Sequence, residues 1–142
     1  MDARPAWQTQ FSIETSASPE AIWALFRDVP GWTLWNAGIE TIALEGPFAA
    51  GTGFVMKPPG EEPLRAVLTE VRENESFVDE TRIDDLVIAV THRIEPLAPS
   101  RTRITYAVDA RGEGAAEIGP MISADFPDVL AALVAIAEGR RS

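Results

Sequence analysis

The fold of this chain is best indicated by residues 17–28, which read ASPEAIWALFRD. Ser18 is suited to cap the amino end of a helix, and Pro19 is suited to the first helical position, where an amide hydrogen is not needed. Ile22, Leu25 and Phe26 then recur at helical spacing. The stretch therefore predicts a short amphipathic helix that ends near residue 27 or 28, before the proline at position 30.

Polar and apolar residues alternate on the amino-terminal side of this helix. Trp7, Phe11 and Ile13 share one parity with two threonines, while glutamines, a serine and a glutamate occupy the other parity. This alternation predicts a strand with one buried face. On the carboxyl-terminal side, residues 30–36 predict a turn or a single helical turn that carries Trp32 and Trp35.

Six further strands are predicted after residue 38, separated by glycine, proline and acidic turns. They are placed at residues 39–44, 54–57, 64–72, 77–81, 86–95 and 101–111. Their short connections favour an antiparallel meander, because parallel strands need long crossovers. Together with the first strand, they predict a seven-stranded antiparallel sheet.

The end of the chain predicts one long amphipathic helix. Its apolar stripe consists of Ile118, Ile122, Phe126, Val129, Leu130, Leu133, Val134 and Ala137. Pro127 should kink this helix or mark the start of its straight part. Gly139 is expected to end it, with Arg140 and Arg141 near the negative end of its dipole. Because a sheet buried on one side must be covered and this helix is large enough to cover it, the fold class is α+β.

The composition excludes several classes of function. The 142 residues contain no cysteine, which rules out disulfides, thiolate nucleophiles and cysteine-based metal sites. The formal net charge of −10 makes nucleic acids and anionic membrane surfaces poor partners. The first ten residues show no signal peptide, and no apolar run approaches the roughly 18 residues of a membrane span. We therefore expect a cytoplasmic protein with no nucleic-acid partner and no membrane insertion.

Residues 17–28, followed by Trp32 and by Trp35-Asn36, resemble the opening of the SRPBCC (START-like) superfamily, in its polyketide cyclase/dehydrase branch. The other features that resemble this family are Gly51-Thr52-Gly53, Leu130, Leu133 and Glu138. The resemblance covers nearly the whole chain and brings no catalytic signature with it. It implies that residues 1–142 form a single ligand-binding domain with a helix-grip fold. In that fold a curved seven-stranded sheet wraps a long C-terminal helix, two short helices follow the first strand, and a cavity separates sheet and helix.

The resemblance also implies a function. Members of the superfamily bind lipids, sterols, polyketides or plant hormones, and some catalyse cyclisation or dehydration. We therefore expect this chain to bind a small hydrophobic molecule of lipid, polyketide or aromatic type, as a carrier, sensor or chaperone. A polyketide cyclase or dehydratase that uses the same cavity is the alternative, and a ligand-free protein-interaction or stress-response domain is a further one. No cofactor is expected, and the protein is expected to be a monomer or a weak homodimer.

Strand parity supplies candidates for the lining of the cavity. The alternate set that contains His92 in residues 86–95 and the set that contains Tyr106 in residues 101–111 are mostly apolar, whereas the opposite sets carry charges and must face water. In residues 64–72 both sets contain apolar side chains, so the inward face is left open. The candidate ligand-binding residues are Trp32, Trp35, Phe54, Met56, Ile88, Val90, His92, Ile104, Tyr106, Met121, Ile122, Phe126 and Leu130.

His92 and Tyr106 are the candidate catalytic residues. His92, the only histidine, could serve as a polar handle or a general acid–base for a ligand, or it could be a buried, hydrogen-bonded imidazole. Tyr106 could donate a hydrogen bond to a ligand carbonyl or pack in the core. Because a single histidine cannot build a histidine-based metal site and no acidic cluster has ligand spacing, no metal is expected.

Two tryptophans, two acidic pairs and two basic residues each allow a functional and a purely structural interpretation. Trp32 and Trp35 could cover the mouth of the cavity or anchor the short helix. The paired acids at residues 79–80 and 84–85 could perform acid–base chemistry, but exposed turns explain them better. Lys57 and Arg65 could pair with an acidic ligand, but we expect both to be solvated.

Overall fold

A computed structural model describes residues 5–139 of the chain. The strands are β1 (Ala6–Thr15), β2 (Thr41–Leu44), β3 (Gly53–Lys57), β4 (Leu64–Arg72), β5 (Ser76–Ile83), β6 (Leu86–Ala98) and β7 (Arg101–Arg111). The helices are α1 (Pro19–Arg27), a 3-10 helix (Val29–Leu34), α2 (Ala115–Ser123) and α3 (Phe126–Ala137). This element order and the antiparallel sheet confirm the predicted α+β helix-grip fold.

The seven strands form one sheet in the order β1-β7-β6-β5-β4-β3-β2. The first strand pairs with the last one, so that Phe11 lies opposite Tyr106, and His92 of β6 lies opposite Tyr106 on its other side. Helix α2 packs on β1 and β7, and α3 packs on β1 and α1. The apolar parity of β6 and β7 therefore faces the helices, as their charge patterns predict.

Strand β4 changes its inward parity at a β-bulge. Ala66 and Leu68 pair in one register with β5, and the register shifts between Leu68 and Glu70. Ala66 and Leu68 are buried before the shift, and Val71, which pairs with the fully buried Phe77, packs against the same core after it. The extra residue explains why both parities of this strand contain apolar side chains.

Helix α1 forms where its sequence predicts it. The Ser18 hydroxyl accepts a hydrogen bond from the Ala21 amide at 3.1 Å, and Pro19 occupies the first turn. The helix buries Ile22 and Phe26 against the sheet, at 0% exposure each. It ends at residue 27, and the 3-10 helix begins at residue 29. The predicted turn or single helical turn is therefore a longer 3-10 segment.

The predicted C-terminal helix is divided into α2 and α3 by residues 124 and 125. Pro127 lies in the first turn of α3 and so marks the start of the straight part, which is one of its two predicted roles. Gly139 follows the helix with a φ of +77°, a conformation that favours glycine at a helix end. Arg140 and Arg141, which were expected to complement the helix dipole, lie outside the described residues.

The segment Ala115–Ala137 corrects one expectation about apolar runs. Its 23 residues have a mean hydropathy of 1.5, so by length and composition it is apolar enough to cross a membrane. Its helices pack on β1, β7 and α1, however, and both contribute buried residues to the core, among them Ala115 of α2 and Leu133 of α3. A helix that covers the core of a globular domain meets the same criterion.

Candidate functional site

Aromatic rings occupy the space between the concave face of the sheet and the helices. The ring of Phe77 lies 5.1 Å from that of Phe26 and 3.9 Å from the imidazole of His92, measured between centroids. Tyr106 continues this series, at 4.4 Å from His92 and 5.4 Å from Phe126. The predicted binding region is therefore lined by rings that lie in contact with one another.

Open depressions occur on the opposite face of the sheet. Two of them, with volumes of about 450 and 400 Å³, are lined mainly by outward-facing residues of β1 and β4–β7. Neither depression includes a residue of α2 or α3. The space between sheet and helices is occupied by aromatic rings in mutual contact, and neither of these two depressions opens into it.

Asp79 brings a carboxyl group to this interior. It belongs to β5 and shares the inward parity of Phe77, with Val90 of β6 opposite. Its Oδ2 lies 3.8 Å from Nε2 of His92, and the two side chains are 15% and 10% exposed. This corrects the expectation that the acidic pair at residues 79–80 lies in an exposed turn. The signal in the sequence was the shared parity of residues 77, 79, 81 and 83.

Burial sets the charge of the Asp79–His92 pair. It raises the pKa of Asp79 from 3.8 to about 7, and no lysine or arginine among residues 5–139 forms an ion pair with this carboxyl group. Burial also lowers the pKa of His92 from 6.5 to about 3, and hydrogen bonds to the backbone of Phe77 and Val90 oppose this shift. His92 is therefore neutral at pH 7, and Asp79 changes charge near that pH.

The hydrogen bonding of His92 fixes which nitrogen faces Asp79. Nδ1 lies 3.3 Å from the carbonyl oxygen of Phe77. Because that oxygen can only accept, we assign the imidazole proton to Nδ1. Nε2 is then left as an acceptor on the side of Asp79, at a distance too long for a direct hydrogen bond.

The hydroxyl of Tyr106 is buried and has no hydrogen-bond partner among residues 5–139. The residue is 2% exposed, although most buried tyrosine hydroxyls are satisfied. Burial raises the pKa of Tyr106 well above its usual value of 10, and the nearby charge of Asp79 raises it further. The hydroxyl thus stays protonated and can donate to any acceptor that reaches it.

Most of the other predicted ligand-binding residues lie in the interior. Phe54, Ile88, Val90, Ile104 and Leu130 are buried. Met56, Ile122 and Phe126 are half-buried at its margin.

Three of the predicted ligand-binding residues do not line an open site: Met121, Trp32 and Trp35. Met121 is 72% exposed, since it lies on the outer side of α2, and it does not line the interior. Trp32 and Trp35 are each 5% exposed, so they do not form an open rim. The Trp32 Nε1 atom donates to the carbonyl oxygen of Phe26 at 2.7 Å, which anchors the 3-10 helix on α1.

The charged residues that were considered for an acidic ligand lie outside. Lys57 pairs with Glu40 at 2.6 Å, and Arg65 pairs with Glu45. Within residues 5–139 there is no group of three or more histidine, aspartate or glutamate side chains that could hold a metal ion. The polar chemistry of the interior therefore rests on Asp79, His92 and Tyr106.

A family profile and several solved structures are similar to this chain. The profile described as polyketide cyclase / dehydrase and lipid transport matches residues 6–138. No curated protein matches. A START superfamily protein from Mycobacterium smegmatis has a TM-score of 0.73 at 16% identity, over 93% of this chain and 97% of that chain. A protein from Thermobifida fusca has a TM-score of 0.76 at 20% identity, over 92% of each chain.

Norcoclaurine synthase from Thalictrum flavum, solved in complex with dopamine and hydroxybenzaldehyde, is also similar. Its TM-score is 0.77 at 15% identity, over 99% of this chain and 91% of that chain. At these identities the three structures support the fold alone.

Proposed function

This chain belongs to the polyketide cyclase/dehydrase and lipid transport family, and we propose that it binds a small hydrophobic molecule between its sheet and its C-terminal helices. The family as a whole suggests hydrophobic ligand binding. The observation that carries the proposal is the presence of Asp79, His92 and Tyr106 in one apolar interior. There the Tyr106 hydroxyl has no hydrogen-bond partner among residues 5–139, and Nε2 of His92 lies 3.8 Å from Oδ2 of Asp79, too far for a direct hydrogen bond. We place the polar group of the ligand beside these residues.

In the ligand-free protein these polar groups lower the stability of the fold, because nothing offsets the cost of burying them. A buried polar group that lacks a hydrogen bond costs about 1–3 kcal/mol, and a buried carboxylate without a cation costs more. Apolar side chains of similar size would fill the same space at lower cost. A ligand that hydrogen-bonds to Asp79 and Tyr106 would offset the cost, which is why we assign these residues to binding.

Entry of a ligand requires the aromatic interior to open. Phe126 is only partly buried and begins α3 directly after the break between the two helices. It packs against the buried cluster that contains Phe77 and Tyr106 and against a second one that contains Ile88 and Val108. Its ring contacts those of Tyr106 and Phe11 at 5.4 and 6.4 Å. We place the entrance at this ring, because its movement would expose Tyr106 without unpairing any strand.

A second candidate function is catalysis of cyclisation or dehydration at the same site, and the pKa of Asp79 favours it. A carboxyl group with a pKa of about 7 can accept and donate a proton near neutral pH. His92 is less suited to this role because its pKa of about 3 keeps it neutral. In such an enzyme Asp79 would move the proton, and the Tyr106 hydroxyl would hydrogen-bond to a substrate oxygen.

Ligand binding can be tested with uncharged hydrophobic probes. We would titrate 1-naphthol, cholesterol and a medium-chain fatty alcohol, follow the tryptophan fluorescence, and examine the purified protein by native mass spectrometry for retained molecules. We expect saturable binding of at least one probe, and weaker binding by Tyr106→Phe. Asp109→Asn, a substitution on the outer face of β7, is the control and should bind like the wild type.

If no probe binds saturably and no molecule is retained, the ligand-binding proposal is wrong. The packed interior would then favour a domain that acts through its surface.

A further inference from the structure

Resting on the proposed function, we infer that the polar end of the interior receives the ammonium group of a small aromatic amine and rejects carboxylates. The charge of this region, its hydrogen-bonding groups and the rings around it all favour this chemical class over hydrophobic molecules in general. The class does not include fatty acids, whose head group is an anion.

In the part of the chain that the structure describes, the Asp79 carboxyl group forms no ion pair with a lysine or arginine. The basic side chains that form ion pairs within the described residues do so with acidic groups of the outer surface. They are Lys57, Arg65, Arg72, Arg82, Arg101, Arg103 and Arg111. A carboxylate ligand would therefore place a second negative charge beside Asp79, with no cation to offset either charge. An ammonium group would supply the missing cation.

The hydrogen-bonding groups match the three donors of a primary ammonium ion. Asp79 offers a carboxylate oxygen, His92 offers Nε2, and Tyr106 offers the lone pairs of its hydroxyl. The 3.8 Å between Oδ2 and Nε2 is too long for a direct bond, but one nitrogen can donate to both at about 2.8–3.0 Å. An alcohol has a single donor and could meet only one of these three acceptors.

The rings around the polar group suit the remainder of such a ligand. Phe77, Phe26 and Phe126 surround His92 and Tyr106 with centroid distances of 3.9 to 6.3 Å. Aromatic faces attract a nearby cation and pack against an aryl group. The formal net charge of −10 also raises the concentration of cations near the protein. An arylalkylamine combines the cationic group and the aromatic ring that this region favours.

The test compares three ligands of nearly equal size and different charge. At pH 8, 2-phenylethylamine, 2-phenylethanol and phenylacetate would be titrated into the intact protein, with dissociation constants measured by calorimetry or NMR. We expect the amine to bind at least about tenfold more tightly than the other two, because charge-assisted hydrogen bonds are the stronger ones. Asp79→Asn should remove this preference, whereas Asp109→Asn, which loses the same charge from the outer face, should keep it.

Each other outcome overturns the inference. Equal binding of amine and alcohol, or tighter binding of phenylacetate, would show that Asp79 does not select a cation, while leaving the proposed hydrophobic binding intact. If none of the three ligands binds, the amine class is wrong, and the uncharged probes described above decide separately whether the protein binds any hydrophobic molecule. Circular dichroism of Asp79→Asn would establish that a lost preference is not a loss of folding.

Discussion

The imidazole of His92 lies flat against the ring of Phe77, with centroids 3.9 Å apart and planes inclined by 7°. The same residue also holds His92 through its backbone, because the Phe77 carbonyl oxygen accepts from Nδ1 at 3.3 Å. Two contacts from one residue thus fix the orientation and the tautomer of the imidazole. Its other nitrogen is directed to Asp79, and the behaviour of this pair is open to direct measurement.

We expect Asp79→Asn to stabilise the protein at pH 8. The folded-state pKa of Asp79 is raised to about 7, so its contribution to stability is present below the unfolded value of 3.8 and is lost as the pH rises through 7. At pH 8 the wild type therefore carries a buried carboxylate without a cation. The substitution should raise the free energy of unfolding by roughly 1–3 kcal/mol, measured with urea. A gain at pH 8 that does not shrink toward pH 4 would contradict this explanation.

The Asp79–His92 pair should give opposite pH dependences when each member is removed. The pKa of His92 is lowered to about 3, so its contribution to stability is present above 6.5 and is lost as the pH falls. In Asp79→Asn we expect stability to rise between about pH 3 and 6.5. In His92→Gln it should fall between about pH 4 and 7, and each slope is at most about 1.4 kcal/mol per pH unit.

The wild type provides the reference for these slopes. Between about pH 4 and 6.5 the two effects oppose each other, so its curve should be flatter than either variant's. Carboxylates elsewhere are common to all three proteins and cancel when the curves are subtracted. Parallel curves for the two variants would show that this pair does not titrate as described.

The fold could be predicted because its signals are local. Alternation identified the first, sixth and seventh strands, and the cap at Ser18 identified α1. Strand β4 could not be oriented from sequence because a bulge after Leu68 reverses the parity, and both halves are apolar. Met121 was assigned to the interior because it lies on the C-terminal helix near Pro127. It is not part of the apolar stripe that contains Ile118 and Ile122, and the structure places it on the outer side of α2.

The site was predicted only in part. His92 and Tyr106 follow from the parity of their own strands, and the structure places both inside. Asp79 was missed because an aspartate beside a glutamate has the composition of an exposed turn. Asp79 is buried by residues of β6, which pairs with β5, and of β7, which lies on the far side of β6. These neighbours are distant in sequence. Whether Asp79, His92 and Tyr106 bind a ligand stays a prediction.

We expect Gly119→Ala to destabilise the contact between α2 and β1. A methyl group on Gly119 would lie 2.3 Å from Cε3 of Trp7, which is too close for either to remain in place. The clash should cost about 1–3 kcal/mol in thermal or urea unfolding, in spite of the better helix propensity of alanine. Gly46→Ala is the control, because its methyl group would meet Thr52 at an ordinary 3.4 Å. A smaller side chain at position 7 should rescue Gly119→Ala, and failure to rescue would assign the loss to another cause.

We expect Tyr106→Phe to leave stability unchanged or to raise it, while weakening the binding of 2-phenylethylamine. Within the described residues the hydroxyl is buried without a hydrogen-bond partner, so its removal deletes a desolvated polar group at a gain of up to about 1 kcal/mol. Trp32→Phe is the matched comparison, because it removes an indole N–H that donates at 2.7 Å to Phe26, and it should lose roughly 1–2 kcal/mol. Urea unfolding and calorimetric titration of both variants would separate the two roles. A clear loss of stability in Tyr106→Phe would mean that the hydroxyl serves the core, and unchanged amine binding would remove it from the site.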